Sequence, residues 1–150
     1  GIISVVQGSI GKKGMVLNCE SRRTHNIFTE DGIEHDYLHM DGQEVYKFAV
    51  RQCPKCLLEA LEKADMTADD IDYFVLHQAN VRIIESVAKR LKAPVEKFPM
   101  TLGYTGNMSA ASVPVMLDSL VRDGGLKRGD KVAMSAFGAG LTYGAIVLEW

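Results

Sequence analysis

The feature that most narrows the fold is a change of period at one histidine. Tyr73-Phe74-Val75-Leu76 is a near-continuous apolar run of the kind carried by a strand buried on both faces, and it ends at His77. From Asn80 the period is helical. Ile83, Ile84, Val87, Ala88 and Leu91 fall on one side and Arg82, Glu85, Lys89 and Arg90 on the other, until Pro94 stops the run. A buried strand feeding an amphipathic helix is the repeating unit of layered α/β folds, because a strand apolar on both faces needs helices to cover it.

The flanking sequence extends that pattern. Gly1-Ile2-Ile3-Ser4-Val5-Val6 and Met15-Val16-Leu17-Asn18-Cys19 read as strands joined through the turn Gly11-Lys12-Lys13-Gly14, which predicts a hairpin. The polar stretch from Ser21 to His39 reads as a long loop, of a length usually functional or laid against a partner. Val45, Ala49, Cys53, Cys56, Leu57, Ala60, Leu61 and Ala64 recur at helical spacing and predict a helix from about Gln43 to Ala64, kinked at Pro54. Thr67-Ala68-Asp69-Asp70 has the form of a capping box and predicts one short helical turn. A further helix is expected from Asn107 or Met108 to Arg122, ending at Gly124-Gly125, with a kink or a late start because of Pro114. Strands Lys131–Ser135 and Thr142–Glu149 close the chain around Phe137-Gly138-Ala139-Gly140. The predicted class is therefore α/β with a mixed sheet.

Composition excludes several alternatives. With 47% hydrophobic and 24% charged residues, the 150-residue chain can bury a core of its own. Seventeen basic against nineteen acidic side chains give a net charge of −2, so no whole-domain field draws it to nucleic acid or a membrane surface. Apolar runs fall short of the ~20 residues a membrane span needs, and the N-terminus lacks the build of a signal peptide, so a cytoplasmic protein is expected. Three cysteines fit a reducing compartment. Cys53-Pro54-Lys55-Cys56 falls inside a helical pattern, and no second pair or His-x-x-x-His follows it. Both thiols read as small core residues, and no metal site is expected.

Three places carry potential chemistry. His77 stands at the C-terminal end of a buried strand, where α/β proteins place their ligand crevices, although a histidine there is often a hydrogen-bonded structural residue. Asn107, in the turn-rich lead Gly103-Tyr104-Thr105-Gly106-Asn107, is either a helix N-cap or an amide donor to a crevice, with small residues Ser109 to Ser112 allowing close approach. The turn Phe137-Gly138-Ala139-Gly140 is explained by a hairpin alone; as a site element it would aim backbone N–H groups at a developing oxyanion.

Taken together, the runs His77-Gln78-Ala79-Asn80-Val81-Arg82-Ile83-Ile84, Gly106 to Pro114 and Ala136 to Gly144, with Met40 to Lys47 ahead of them, closely resemble the β-ketoacyl-acyl-carrier-protein synthase III family. The resemblance runs from Gly1 to Trp150. It implies the C-terminal half of a thiolase-like fold, a five-stranded mixed sheet with helices, in an enzyme that forms homodimers. It implies a Cys-His-Asn triad in which His77 and Asn107 match the second and third members. The nucleophile would belong to an N-terminal half absent from this chain, since none of Cys19, Cys53 and Cys56 lies in the Ala-Cys-[Ser/Ala]-Gly context the family uses. A chain that opens on a strand without an initiating Met is expected to be a piece of the whole enzyme, and, lacking the nucleophile, to be inactive alone.

The implied reaction is a decarboxylating condensation of an acyl-CoA-derived acyl group with malonyl-acyl-carrier protein, initiating fatty acid synthesis. Coenzyme A thioester is the substrate and no cofactor is needed. The Ala139 N–H would complete an oxyanion hole; Asn80, Gly42, Phe137 and Gly138 would line the pantetheine tunnel. Gln78, Ala79, Asn80, Val81, Arg82, Lys47 and Lys89 would receive the acyl carrier protein, although Lys and Arg on a helix are often only its solvated face. Two positions depart from the family, which usually has Gly at 139 and Thr at 108, where this chain has Ala139 and Met108. Competing readings are an acyltransferase or condensing enzyme of secondary metabolism, and a non-catalytic binding or structural half; Asn107 favours condensation over plain acyl transfer.

Overall fold

The structure, a computed structural model, describes residues 1–19, 28 and 37–150. Its strands are β1 (Ile2–Ser9), β2 (Leu17–Asn18), β3 (His39–Met40), β4 (Tyr73–Leu76), β5 (Lys131–Gly138) and β6 (Thr142–Glu149). Its helices are α1 (Gly42–Lys63), α2 (Val81–Leu91), α3 (Leu102–Thr105) and α4 (Ser112–Arg122), with short 3₁₀ turns between them. The main sheet runs β1-β6-β5-β4; β1–β6 and β6–β5 are antiparallel and β5–β4 is parallel. The mixed α/β layer is as the periodicities require.

The strand count differs from expectation, with four strands in the main sheet among the described residues instead of five. Residues 98–101 pass close to β4, with Phe98 stacked on Phe74 at a ring separation of 4.6 Å, yet they form no strand. Pro99 has no N–H to contribute to a ladder. The predicted N-terminal hairpin is also corrected. β1 pairs with β6, from Ile2 against Leu148 to Ser9 against Thr142, while β2 pairs with β3. The segment expected to be the hairpin turn is instead part of a 3₁₀ helix, Gly11–Val16, that leads the chain away from the sheet. Alternation explains the first pairing: Ser4 and Val6 point to the buried side, and the Ser4 hydroxyl donates to Ala60 O of α1 at 2.6 Å. The loop predicted over 21–39 lies largely outside the described residues, and its last residue, His39, belongs to β3.

α1 begins at Asp41, whose Oδ1 accepts from the N–H groups of Gln43 and Glu44 at 3.0 Å each, the usual service of an N-cap carboxylate. It continues unbroken across Pro54, and its buried stripe includes Cys53, Cys56, Leu57, Ala60 and Leu61. The capping box at Thr67 and Asp70 opens a 3₁₀ turn, as predicted. α4 takes the late start: Pro114 is its third residue, inside the first turn, where a missing N–H costs nothing. The turn-rich lead before Asn107 instead holds a short helix, α3, over Leu102–Thr105. Two apolar clusters cover the sheet. One joins α1 and α2 to Phe74, Leu76, Ala133, Ala145 and Val147; the other joins α4 to Val75 and Val132. No helix among the described residues is long and apolar enough to cross a membrane.

Candidate functional site

β4 and β5 run parallel, and both end at the same rim of the sheet. His77 N–H donates to Ser135 O at 2.9 Å, so the residue still belongs to the strand frame when its side chain leaves it. The imidazole is half-buried and packs edge-on against Phe137, with ring centroids 5.3 Å apart and planes at 76°. Burial holds its pKa below the ordinary histidine value, so at neutral pH the ring is uncharged and carries one N–H donor.

Asn107 is held by its own loop. Ser109 N–H lies 2.9 Å from Asn107 Oδ1, and because an N–H can only donate, the amide must turn its oxygen inward and leave its NH₂ group for another partner. The turn needs Gly106 at φ +65 and puts Ser109 at φ +49, an uncommon conformation for a residue with a side chain. Opposite, β5 and β6 meet at Gly138-Ala139-Gly140. The Thr142 hydroxyl donates to Ala139 O at 3.0 Å and braces that turn.

His77, Ala79, Asn107, Phe137, Gly138 and Ala139 line one cleft of about 610 Å³. Met40, Val45 and Tyr143 contribute apolar wall; in sequence they fall within the family-like runs, but an apolar side chain there carries no signal of its own that it faces a cleft rather than the core. Phe48 supports the wall from below through edge contacts with Phe137 and Tyr143 at 6.5 and 6.1 Å. The other candidates lie outside the cleft. Gly42 is exposed at the start of α1, and Asn80 is the N-cap of α2, its Oδ1 accepting from Arg82 N–H at 2.9 Å. Val81, Arg82 and Lys89 are exposed on α2, and Lys47 is exposed on α1, paired with Glu44 at 3.0 Å. Gln78 is corrected as a surface contact: it is fully buried, and its amide is spent inside the protein, so its side chain offers nothing to a docking partner. Cys53 and Cys56 are buried core residues as expected, and burial pushes the Cys53 thiol up to about 12. Among the described residues no cluster of His, Cys, Asp or Glu is set to hold a metal ion.

A mixed sheet covered by helices on both faces, with a neutral histidine and a tethered asparagine at one rim, is the C-terminal half of a thiolase-like fold. Residues 61–150 match the family described as 3-oxoacyl-[acyl-carrier-protein (ACP)] synthase III C terminal, and the chain belongs to that family. It is 44% identical to the β-ketoacyl-[acyl-carrier-protein] synthase III of Synechococcus sp., over all of this chain and 46% of that protein. The crystal structure of the β-ketoacyl-[acyl-carrier-protein] synthase III of Thermus thermophilus superposes with a TM-score of 0.87 at 41% identity, covering 100% of this chain and 46% of that one. The priming β-ketosynthase of a polyketide pathway superposes with a TM-score of 0.88 at 38% identity, covering 99% of this chain and 45% of that one. The chain thus spans about half the length of the relatives it matches.

Proposed function

We propose that this chain supplies the histidine and asparagine of a Cys-His-Asn site that condenses an acyl group, taken from acyl-coenzyme A, with malonyl-acyl-carrier protein at the start of fatty acid synthesis. The observation that carries the reading is the pairing, in one cleft, of an uncharged His77 with an Asn107 whose oxygen is tethered to Ser109, leaving its NH₂ without a partner among the described residues. The nucleophile belongs to the other half of the enzyme, in keeping with the burial of Cys53 and Cys56 and with the exposed Cys19 lying outside the Ala-Cys-[Ser/Ala]-Gly context.

A cysteine thiolate attacks the acyl-CoA carbonyl, the Ala139 N–H steadies the oxyanion, and coenzyme A leaves as the thiolate. Malonyl thioester then loses carbon dioxide, and the electron pair of the broken C–C bond moves onto the thioester oxygen as an enolate. His77 and Asn107 each aim a hydrogen at that oxygen; one such donor is typically worth ~3 kcal/mol in the transition state. The enolate carbon attacks the acyl-cysteine, expelling the cysteine thiolate and leaving a β-ketoacyl thioester on the carrier. Arg82, Lys89 and Lys47, all exposed, form the basic surface for the acidic carrier protein. The whole enzyme acts as a homodimer in the cytoplasm, without metal or cofactor.

Release of labelled carbon dioxide from malonyl-acyl-carrier protein by the full-length enzyme tests this. Asn107→Ala should slow release by about 10²–10³-fold while acylation from acyl-CoA persists. Unchanged release would return Asn107 to a purely structural role and put plain acyl transfer ahead. The likeness to a polyketide priming ketosynthase favours one second reading, the same condensation with a secondary-metabolic starter. A panel of acyl-CoA starters separates the two.

A further inference from the structure

We propose that Gln78 is a positioning residue that ties the His77 strand end to the segment leading to Asn107, its carboxamide standing in for one residue of a missing fifth strand. This rests on the condensing reading of the site. Gln78 is fully buried. Its Nε2 donates to Leu76 O at 3.0 Å and to Pro99 O at 3.4 Å, and its Oε1 accepts from Thr101 N–H at 3.1 Å. Both amide hydrogens are used, as a buried polar group requires.

The pattern of partners is informative. In a parallel ladder, a residue gives its N–H to the carbonyl before its opposite number and takes the N–H of the residue after it. Gln78 does this with its side chain across Met100: it gives to Pro99 O and takes from Thr101 N–H. The same carboxamide gives its second hydrogen to Leu76 O, the last carbonyl of β4. One side chain therefore joins β4 to a segment that Pro99 prevents from pairing as a regular strand.

The connection continues toward Asn107. Thr101 is fully buried, and its carbonyl accepts from Tyr104 N–H and Thr105 N–H, both at 3.0 Å, closing α3. The Thr105 hydroxyl lies 3.0 Å from Thr101 O and 3.0 Å from Gly106 O, next to Asn107. On the other side Gln78 adjoins His77, whose carbonyl accepts from Ala79 N–H at 3.0 Å. The two donors that must converge on one enolate oxygen are thus referenced to each other through Gln78, and a loss of alignment of ~1 Å is enough to cost about 100-fold in rate.

The test uses the full-length enzyme and two malonyl donors, malonyl-acyl-carrier protein and carrier-free malonyl-CoA. Gln78→Leu should lower kcat for decarboxylation by about 10- to 100-fold with both donors, leave KM for the carrier-bound donor within about twofold, and spare acylation. Gln78→Glu keeps the acceptor for Thr101 but donates only when protonated. Its rate relative to wild type should therefore recover as pH falls from about 8 to about 6, since burial raises a carboxyl pKa. This variant also decides the matter should Gln78→Leu fail to fold. Amide exchange at Thr101, whose buried N–H donates to Gln78, should be slow in wild type and faster in Gln78→Leu. A raised KM for malonyl-acyl-carrier protein with normal kcat and normal malonyl-CoA turnover would overturn the proposal in favour of a carrier contact; so would variants indistinguishable from wild type. If the wild-type enzyme itself decarboxylates neither donor, the functional reading fails, and the Thr101 exchange rates alone decide the clamp.

Discussion

Gly140→Ala is expected to destabilise the protein through two separable effects. The backbone at Gly140 has φ +133, which L side chains rarely adopt, and an ideal Cβ there would lie 2.6 Å from Thr142 Cγ2 and 3.0 Å from Thr142 N. Strain from the backbone angle contributes about 1–3 kcal/mol. Overpacking against Thr142 adds about 1–3 kcal/mol. Thr142→Ser separates them, because it removes Cγ2 and keeps the hydroxyl that donates to Ala139 O at 3.0 Å. In a double-mutant cycle read by urea unfolding of the full-length protein, Gly140→Ala should cost about 1–2 kcal/mol less on the Thr142→Ser background than on wild type. The remainder is the backbone strain and the approach to Thr142 N. A total cost under about 0.5 kcal/mol would refute the assignment of strain to this φ, since that is the scale of a featureless surface change. Equal costs on the two backgrounds would clear Thr142 Cγ2 of the clash. Because Ala139 precedes the substituted residue, acylation should suffer more than malonyl decarboxylation in the single variant.

Burial and capping set three further outcomes. Burial holds the His77 pKa below its ordinary 6.5, so below that value the unfolded chain gains a proton that the folded protein resists. Stability is therefore full above about pH 6.5 and falls as pH drops through and below it, and thermal midpoints across that range should show a decline that His77→Gln lacks. Cys53 and Cys56 are buried, with the Cys53 thiol pushed to about 12, so neither should be alkylated by iodoacetamide in the native protein, and both should be labelled after denaturation; peptide mass spectrometry reads this. Asp41→Ala should cost about 1 kcal/mol in urea unfolding, because it strips the acceptor shared by the Gln43 and Glu44 N–H groups at the start of α1.

What was legible in the chain and what was not divides along the range of the interactions. Strand β4, helices α1 and α2 and the cap at Thr67 announce themselves because period and capping are written within a few neighbouring residues. The pairing of β1 with β6 spans almost the whole chain, and no local signal separates it from a hairpin with the next apolar run. The cleft follows the same division. His77 and the turn at Ala139 stand out because a buried strand ends at one and two strands meet at the other. Gln78 does not: in sequence it is a polar residue just beyond a strand, which reads as surface, and only the positions of Pro99 and Thr101 show that its amide has work inside the fold. A polar residue at such a junction is therefore ambiguous until its partners are known. The deciding fact here lies more than twenty residues downstream, in a proline that removes one N–H from what would otherwise be an ordinary edge strand.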